Sequence, residues 1–438
     1  MSKEITKNCI QQCQQQLEHF PQAHSLKRAI MNQGINAICE DPNIKAKLNR
    51  VFSTELDTNN VTAQEKSGRC WLFATLNSLR HDFEKKYHLK DFEFSQNYLS
   101  FWDRFEKANS FYEHIIETVE QPTHDRRVQA LLQMPDDDGG QWDNAAALIK
   151  KYGLVPKYAM PETQPSNHTD EFSALLGKRL RKDAFILRST YKKNHSLDEL
   201  YDLKQEMLIT IYRLCVYAFG EPVQTFDFEY RDEDKNYHCH KDLTPQRFYQ
   251  DFVSLSLDDY IVLCNAPDRS FYQTYQLDDE TNVQDGQPVQ FLNVPLAEMK
   301  SLLIKQLNDG YATWFGCDVL QQMNRKEGLL DSNLYCYDEV FQTDLDFTKE
   351  DRLRYYEAVC SHAMTFTGVD IKDGTPQKWK VENSWGEKAG DKGYFVMSNS
   401  WFDDYVYEVV IRKEYLTDEM KLALNKESIH IDLWDALA

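Results

Sequence analysis

The sequence predicts an α+β protein in which helices come first along the chain and strands come last. Apolar residues in the first half recur at helical spacing, as in the series Leu72, Leu76, Leu79 and Phe83. After Asp258 the chain changes to short runs that are rich in β-branched and aromatic residues, for example 260–263 and 406–411. Helical and strand-forming segments that are separated in this way are typical of an α+β fold with two lobes.

The predicted elements follow one another within a single folding unit. A helix is predicted over 72–87, a second starts at the N-cap Ser95, and a third runs over 144–152 until Gly153 ends it. The unit is expected to consist of an N-terminal helical and extended segment (1–60), a helical lobe (61–165), a polar helical insertion (166–257), a mainly β lobe (258–424) and a C-terminal arm (425–438).

Charge and hydropathy argue against several classes of partner. The 438 residues include 70 acidic and 50 basic side chains, and the formal net charge of −20 opposes nucleic-acid binding. No run approaches the roughly 18 apolar residues that a membrane-spanning helix needs. Residues 1–6 lead into a polar, glutamine-rich helix and not into the apolar run of a signal peptide, so a cytoplasmic protein is expected.

The cysteines do not predict a disulfide framework or a metal site. There are ten, and they are scattered along the chain without regular spacing, so free thiols are expected. The run His238-Cys239-His240 lacks the second pair of ligands that a zinc site requires. We therefore expect neither a metal nor another cofactor.

Cys70 is the candidate nucleophile. It is predicted in the first turn of a helix, where the partial positive charge of the helix N-terminus stabilises a thiolate. The thiolate is the nucleophilic form of cysteine, whereas a buried structural cysteine gains nothing from this position. On this segment alone, a cysteine of the hydrophobic core remains the alternative.

A cysteine nucleophile in acyl transfer needs a base, a group that orients the base, and donors for the oxyanion. His362 stands just before a predicted strand, and Asn383 ends the next predicted strand. Gln64 could supply an amide donor beside the backbone N–H of Cys70. The structural alternatives are a strand-flanking histidine, a turn asparagine and an exposed loop glutamine.

Four fragments in this order resemble the papain-like cysteine peptidases. They are Gln64-x5-Cys70-Trp71, His362-Ala363, Asn383-Ser384-Trp385-Gly386 and Gly393-Tyr394-Phe395. The resemblance implies a papain-like fold of a helical lobe and a β-barrel-like lobe. It assigns the roles of nucleophile (Cys70), base and acid (His362), orienting residue (Asn383), oxyanion donor (Gln64), shield of the His–Asn hydrogen bond (Trp385) and substrate-strand binding (Gly139 and Gly140).

The chain also departs from the small members of that family. His362 follows Cys70 at far more than the usual ~130–150 residues, so a large insertion is expected. Further fragments resemble the bleomycin hydrolase and aminopeptidase C branch, namely Ser67-Gly68-Arg69-Cys70-Trp71, Asp138-Gly139-Gly140-Gln141-Trp142, 151–156 and Ala436-Leu437-Ala438. The branch implies a cytosolic aminopeptidase that acts on peptides as a homohexamer. It also implies a C-terminal arm whose terminal carboxylate, here on Ala438, receives the substrate's α-ammonium group.

The length of the arm leaves a second activity open. Branch members commonly carry Pro-Met-Gly between their Trp-Asp and Ala-Leu-Ala elements, and here Asp435 is followed directly by Ala436. Three missing residues could shorten the reach of the arm by ~10 Å. An oligopeptide endopeptidase of the same family is therefore the alternative to the aminopeptidase. A non-catalytic hexameric binder would have lost a catalytic residue, and none of the four is missing.

Overall fold

The computed structural model describes residues 3–253 and 256–437. Its helices are α1 (Lys7–His19), α2 (Ala23–Gln33), α3 (Ile35–Cys39), α4 (Pro42–Lys47), α5 (Cys70–Tyr87), α6 (Gln96–Glu117), α7 (Arg126–Gln133), α8 (Trp142–Tyr152), α9 (Gln164–Asn167), α10 (Asp170–Asn194), α11 (Leu197–Phe219), α12 (Pro245–Phe252), α13 (Leu296–Asn308), α14 (Tyr337–Phe341), α15 (Lys349–Arg354), α16 (Asn399–Tyr405) and α17 (Asp418–Ala423). Within the described ranges, no helix is long and apolar enough to cross a bilayer.

Most strands follow the long helices, as the sequence predicts. They are β1 (Thr54–Glu55), β2 (Phe226–Arg231), β3 (Tyr237–Leu243), β4 (Tyr260–Cys264), β5 (Gln273–Leu277), β6 (Val289–Asn293), β7 (Thr313–Cys317), β8 (Met323–Asn324), β9 (Leu329–Leu330), β10 (His362–Lys372), β11 (Thr375–Glu382), β12 (Tyr394–Ser398), β13 (Val406–Arg412) and β14 (Ile429–His430). The polar range 166–257 differs from the prediction because it also contains the hairpin of β2 and β3.

The central sheet has the strand order β14-β5-β6-β4-β13-β7-β10-β11-β12-β9-β8, and β1 adds to β10. Neighbours in this order are often distant in sequence, since β13 lies between β4 and β7. The long hairpin of β10 and β11 pairs Thr365 with Glu382, so the first residues of β10 lie next to the last residues of β11. His362 and Asn383 are both at this end of the hairpin.

The buried side chains form two large clusters that meet at the sheet. One cluster unites α5, α6 and α8 with α10 and α11, and the other lies between α13, α16 and the strands β7 to β13. The mixture of helices and strands fits the predicted α+β class.

Helix α5 is buried along almost its whole length and lies against β7 and β10. Trp71 O accepts a hydrogen bond from Trp314 Nε1 at 3.1 Å, and Ala74 O accepts one from Thr365 Oγ1 at 3.3 Å. The helix ends at His88, which adopts the left-handed conformation. These contacts between α5 and the sheet place the first residues of the helix close to the first residues of β10.

Candidate active site

Cys70 is the first residue of α5, and its side chain lies beside the start of β10. Against the effect of burial, the backbone N–H of Ala363 lowers the pKa of its thiol, and the sulfur lies 3.9 Å from Gly68 O. Cys70 and His362 line the same cavity, of about 510 Å³. Residues far apart in the sequence, Cys70 and the pair His362-Ala363, are therefore neighbours in the folded chain.

His362 is oriented by Asn383. The imidazole Nε2 lies 3.0 Å from Asn383 Oδ1, which also accepts the Ser384 backbone N–H at 2.8 Å. Because an amide oxygen can only accept, Nε2 carries the proton in this hydrogen bond and Nδ1 is left with a lone pair. The predicted orienting residue thus selects the tautomer in which Nδ1 can act as a base.

Burial sets the protonation states of the nucleophile and the base. It raises the pKa of the Cys70 thiol to about 11, against hydrogen bonds from the N–H groups of Ala363 and Trp71 that lower it. It lowers the pKa of His362 to about 4, although the hydrogen bond to Asn383 raises that pKa. Burial therefore favours the uncharged form of each group, the thiol of Cys70 and the neutral imidazole of His362.

Trp385 covers the imidazole. Its ring centroid lies 4.8 Å from that of His362, and the guanidinium of Arg325 lies 4.2 Å from the centre of the indole ring. The two rings are tilted by 31° to each other, so the indole lies over the imidazole at the His362–Asn383 pair.

The side chain of Gln64 is held at both ends. Its Oε1 accepts a hydrogen bond from Ser384 Oγ at 2.6 Å, and its Nε2 donates to Ser67 O at 2.5 Å. The second amide N–H has no acceptor among the described residues. The Cys70 N–H begins α5 and so has no acceptor within the helix. These two N–H groups are the ones that can receive an oxyanion.

Of the predicted glycine pair, only Gly140 has free backbone groups. Gly139 O accepts from Lys107 Nζ, and Gly139 N donates to Asp137 Oδ1 at 3.0 Å. The N–H and C=O of Gly140 have no partner in the part of the chain that the structure describes. A Cβ at this position would come within 2.8 Å of the Trp71 ring, so only glycine fits here.

Two carboxylates of the acidic run before the glycines, Asp136 and Asp138, are engaged with other parts of the chain. Asp136 is 1% exposed and pairs with Arg104 at 2.6 Å. Asp138 accepts hydrogen bonds from the Gly68 N–H at 2.6 Å and from Thr169 Oγ1 at 2.5 Å. Asp138 therefore holds the loop that precedes Cys70, whereas Asp137 is exposed. Composition did not reveal these contacts, because the partners are distant in sequence.

The C-terminal segment enters the same cavity. Leu433 lines the cavity, and Leu437 is buried, with its carbonyl oxygen 3.2 Å from Gln141 Nε2. Ala438, the predicted bearer of the functional carboxylate, lies outside the described residues.

Four groups at the site were not singled out from the sequence. Ser384 was quoted only as part of a motif, although it holds Gln64. Gln141 contacts Leu437 and was likewise part of a motif fragment. Glu408 and Cys360 line the cavity, and no sequence signal links them to Cys70. Among the residues that the structure describes, no three His, Cys, Asp or Glu side chains are grouped so that they could hold a metal ion.

Comparison with known proteins identifies the family. The model of the Peptidase C1-like family matches residues 4–438. The chain belongs to this family. The Peptidase C1-like chain is 47% identical to aminopeptidase E of Lactobacillus helveticus, with all of both proteins covered. It is 42% identical to aminopeptidase C of the same species, covering all of this chain and 98% of that protein.

A solved structure agrees over the whole chain. The crystal structure of PepW from Lactobacillus rhamnosis HN001 has a TM-score of 0.98 and 47% identity, covering 100% of this chain and 99% of that one. The predicted membership of the aminopeptidase C branch of papain-like peptidases is confirmed, and the Peptidase C1-like chain is a cysteine-type peptidase.

Proposed function

We propose that Cys70, His362 and Asn383 form the catalytic unit of a cysteine aminopeptidase. The observation that carries this proposal is that Cys70 and His362 line one cavity, where Asn383 Oδ1 holds the imidazole Nε2 at 3.0 Å. The sulfur, the base and the orienting amide are the three parts that the chemistry needs.

In the proposed acylation step, the thiol proton passes from Cys70 Sγ to His362 Nδ1 as the sulfur attacks the scissile carbonyl carbon. The new C–S bond places negative charge on the carbonyl oxygen, which the N–H groups of Gln64 and Cys70 stabilise. The protonated imidazole then gives its proton to the leaving amine as the C–N bond breaks. Charge at the helix N-terminus favours the transient thiolate.

Deacylation uses the same groups, with water as the attacking nucleophile and the Cys70 sulfur as the leaving group. Neutral His362 takes a proton from water, whose oxygen attacks the thioester carbon. The C–S bond breaks, the carboxylic acid product leaves, and the proton returns to Cys70. Trp385 keeps the His362–Asn383 pair oriented through both halves, and the free backbone groups of Gly140 bind the substrate strand.

The substrates are peptides with a free N-terminus. The named relatives are aminopeptidases E and C, and Leu433 of the C-terminal segment lines the cavity that Cys70 also lines. An arm in this place occupies the room that residues before the cleaved bond would take, and a carboxylate at its end attracts an α-ammonium group. The endopeptidase alternative is not favoured, and the shortened arm still reaches Gln141 through Leu437.

The proposed organisation is that of the papain-like fold, with the two buried clusters as its helical and β lobes. We further propose a cytoplasmic homohexamer. The resemblance to the aminopeptidase C branch supports the location and the assembly. The assembly is also supported by the N-terminal helices, since no residue of α1 or α2 is buried.

One peptide, with its amine free or acetylated, tests the activity. The full-length enzyme should cleave the free form with a kcat/KM about 100-fold higher, equivalent to ~2.7 kcal/mol of transition-state binding. Removal of residues 436–438 should reduce this ratio to about tenfold or less. Cys70→Ala should abolish both rates, and Cys9→Ala, at an exposed thiol, should change neither. Efficient internal cleavage of the acetylated peptide by the intact enzyme would contradict the proposal.

A further inference from the structure

The C-terminal segment is attached to the body of the protein before it enters the cavity. Strand β14 pairs with β5, and the Ile431 N–H donates to Gln276 O at 2.9 Å. The Ser428 hydroxyl also accepts from Gln290 Nε2 at 2.6 Å. These bonds fix the base of the arm, but they lie several residues before its end.

A second set of contacts holds the last residues. Trp434 stacks under the guanidinium of Arg126, which lies 4.0 Å from the ring centre. Asp435 Oδ1 accepts a hydrogen bond from Arg269 Nη2 at 3.1 Å, and the same oxygen accepts the Leu437 N–H at 3.0 Å. One carboxylate oxygen therefore connects a side chain of the body to the backbone of the final turn.

Arg269 is itself held in place. Its Nε and Nη2 donate to the two carboxylate oxygens of Asp268 at 3.1 and 2.9 Å. Its side chain is 12% exposed and that of Asp435 is 21% exposed, so water screens the pair less than it screens a surface ion pair. A planar guanidinium that one carboxylate orients presents its remaining N–H groups in a fixed direction.

We propose that Arg269 is a positioning residue that fixes the end of the C-terminal arm in the cavity and so sets the preference for free N-termini. This inference rests on the proposed function of the arm. When Arg269 is lost, Asp435 loses its ion pair with the body of the protein. The segment from Asp435 onward is then held more weakly, chiefly through the hydrogen bond between Leu437 and Gln141, and room opens for substrate residues before the cleaved bond.

The ratio of kcat/KM for the free-amine and N-acetylated peptides tests this role. Arg269→Gln should lower the ratio about tenfold, through a higher KM for the free form and new cleavage of the acetylated form. Asp435→Asn keeps an oxygen for the Leu437 N–H and should give a smaller change in the same direction. Arg247→Gln, which removes an exposed arginine of α12, should leave the ratio unchanged.

The outcomes separate this inference from the proposed function. If removal of residues 436–438 lowers the ratio but Arg269→Gln and Asp435→Asn do not, the role of Arg269 is overturned and the arm keeps its function. If the intact enzyme already cleaves both peptides equally, the proposed function itself fails. A fall in both rates by one common factor would indicate a structural role only and would also overturn the inference.

Discussion

Glu408 is a carboxyl group with little to stabilise its charge. It is fully buried on β13, its Oε1 has no hydrogen-bond partner among the described residues, and its Oε2 lies 4.0 Å from Cys360 Sγ. Burial, together with the negative charge of Asp143, raises the pKa of Glu408 to about 8. In the folded protein the group therefore keeps its proton at neutral pH, whereas in the unfolded chain it is ionised.

This difference predicts how stability depends on pH. Below about pH 4.5 the group is protonated in both states, and between about pH 4.5 and 8 the unfolded state increasingly gains by ionising, so stability is lost. At pH 4.5, Glu408→Gln should have the same free energy of unfolding as the parent. At pH 8.5 it should unfold at a higher urea concentration than the parent, because its free energy of unfolding is larger by up to a few kcal/mol. The exposed Glu120→Gln serves as the control, and parallel pH profiles for Glu408→Gln and the parent would contradict the prediction.

At the scale of elements, the start of α5 is positioned by a carboxylate that the acidic run supplies. Asp138 binds the Gly68 N–H and Thr169, and its backbone oxygen accepts from Trp71 Nε1 at 2.8 Å. Burial would raise the pKa of Asp138, but the charge of Arg104 and these hydrogen bonds outweigh it and lower the pKa. The carboxylate thus stays ionised and fixes the loop that carries the nucleophile.

Asp138→Ala should lower both stability and turnover. It leaves the Gly68 N–H without an acceptor and Arg104 with one carboxylate fewer, which should reduce the free energy of unfolding by about 2–3 kcal/mol. It should also lower kcat about tenfold, because the loop before α5 no longer holds Cys70 in a fixed position relative to His362. Urea unfolding and steady-state kinetics measure the two effects. Asp137→Ala, which removes an exposed carboxylate and its hydrogen bond from the Gly139 N–H, is the matched control and should lose less than about 1 kcal/mol.

At the scale of the whole molecule, the N-terminal helices expose apolar side chains that the chain itself does not cover. Ile10, Leu17 and Met31 are all exposed, at 47%, 53% and 75%. Amphipathic helices of this kind gain stability when a second surface covers them. The proposed homohexamer supplies such surfaces from neighbouring copies.

Leu17→Asp should therefore lower the mass of the assembly, because a charge in a contact between copies is costly to bury. Sedimentation velocity at micromolar concentration should show a hexamer for the parent and smaller species for the variant. Leu17→Met keeps an apolar side chain of similar size and should remain hexameric. A parent chain that sediments as a monomer would refute the proposed assembly.

Local patterns predicted much of the fold and the family. The helical spacing around Leu72, the N-cap at Ser95 and the change to β-rich runs after Asp258 are local properties, and the structure has helices and strands there. The motif fragments likewise marked Cys70, His362 and Asn383. Strand order could not be predicted, because the position of β13 between β4 and β7 depends on pairings between distant segments.

By itself, the sequence determined the α+β class, the family and the residues that we propose as catalytic, because spacing and motifs are properties of neighbouring residues. Only the tertiary structure decided which partners hold those residues. Ser384 orients Gln64, Asp138 fixes the loop before Cys70, and Arg269 binds the arm through Asp435. Each of these contacts joins residues that are far apart along the chain, and hydrogen bonds between them form only once helices and sheet have packed together.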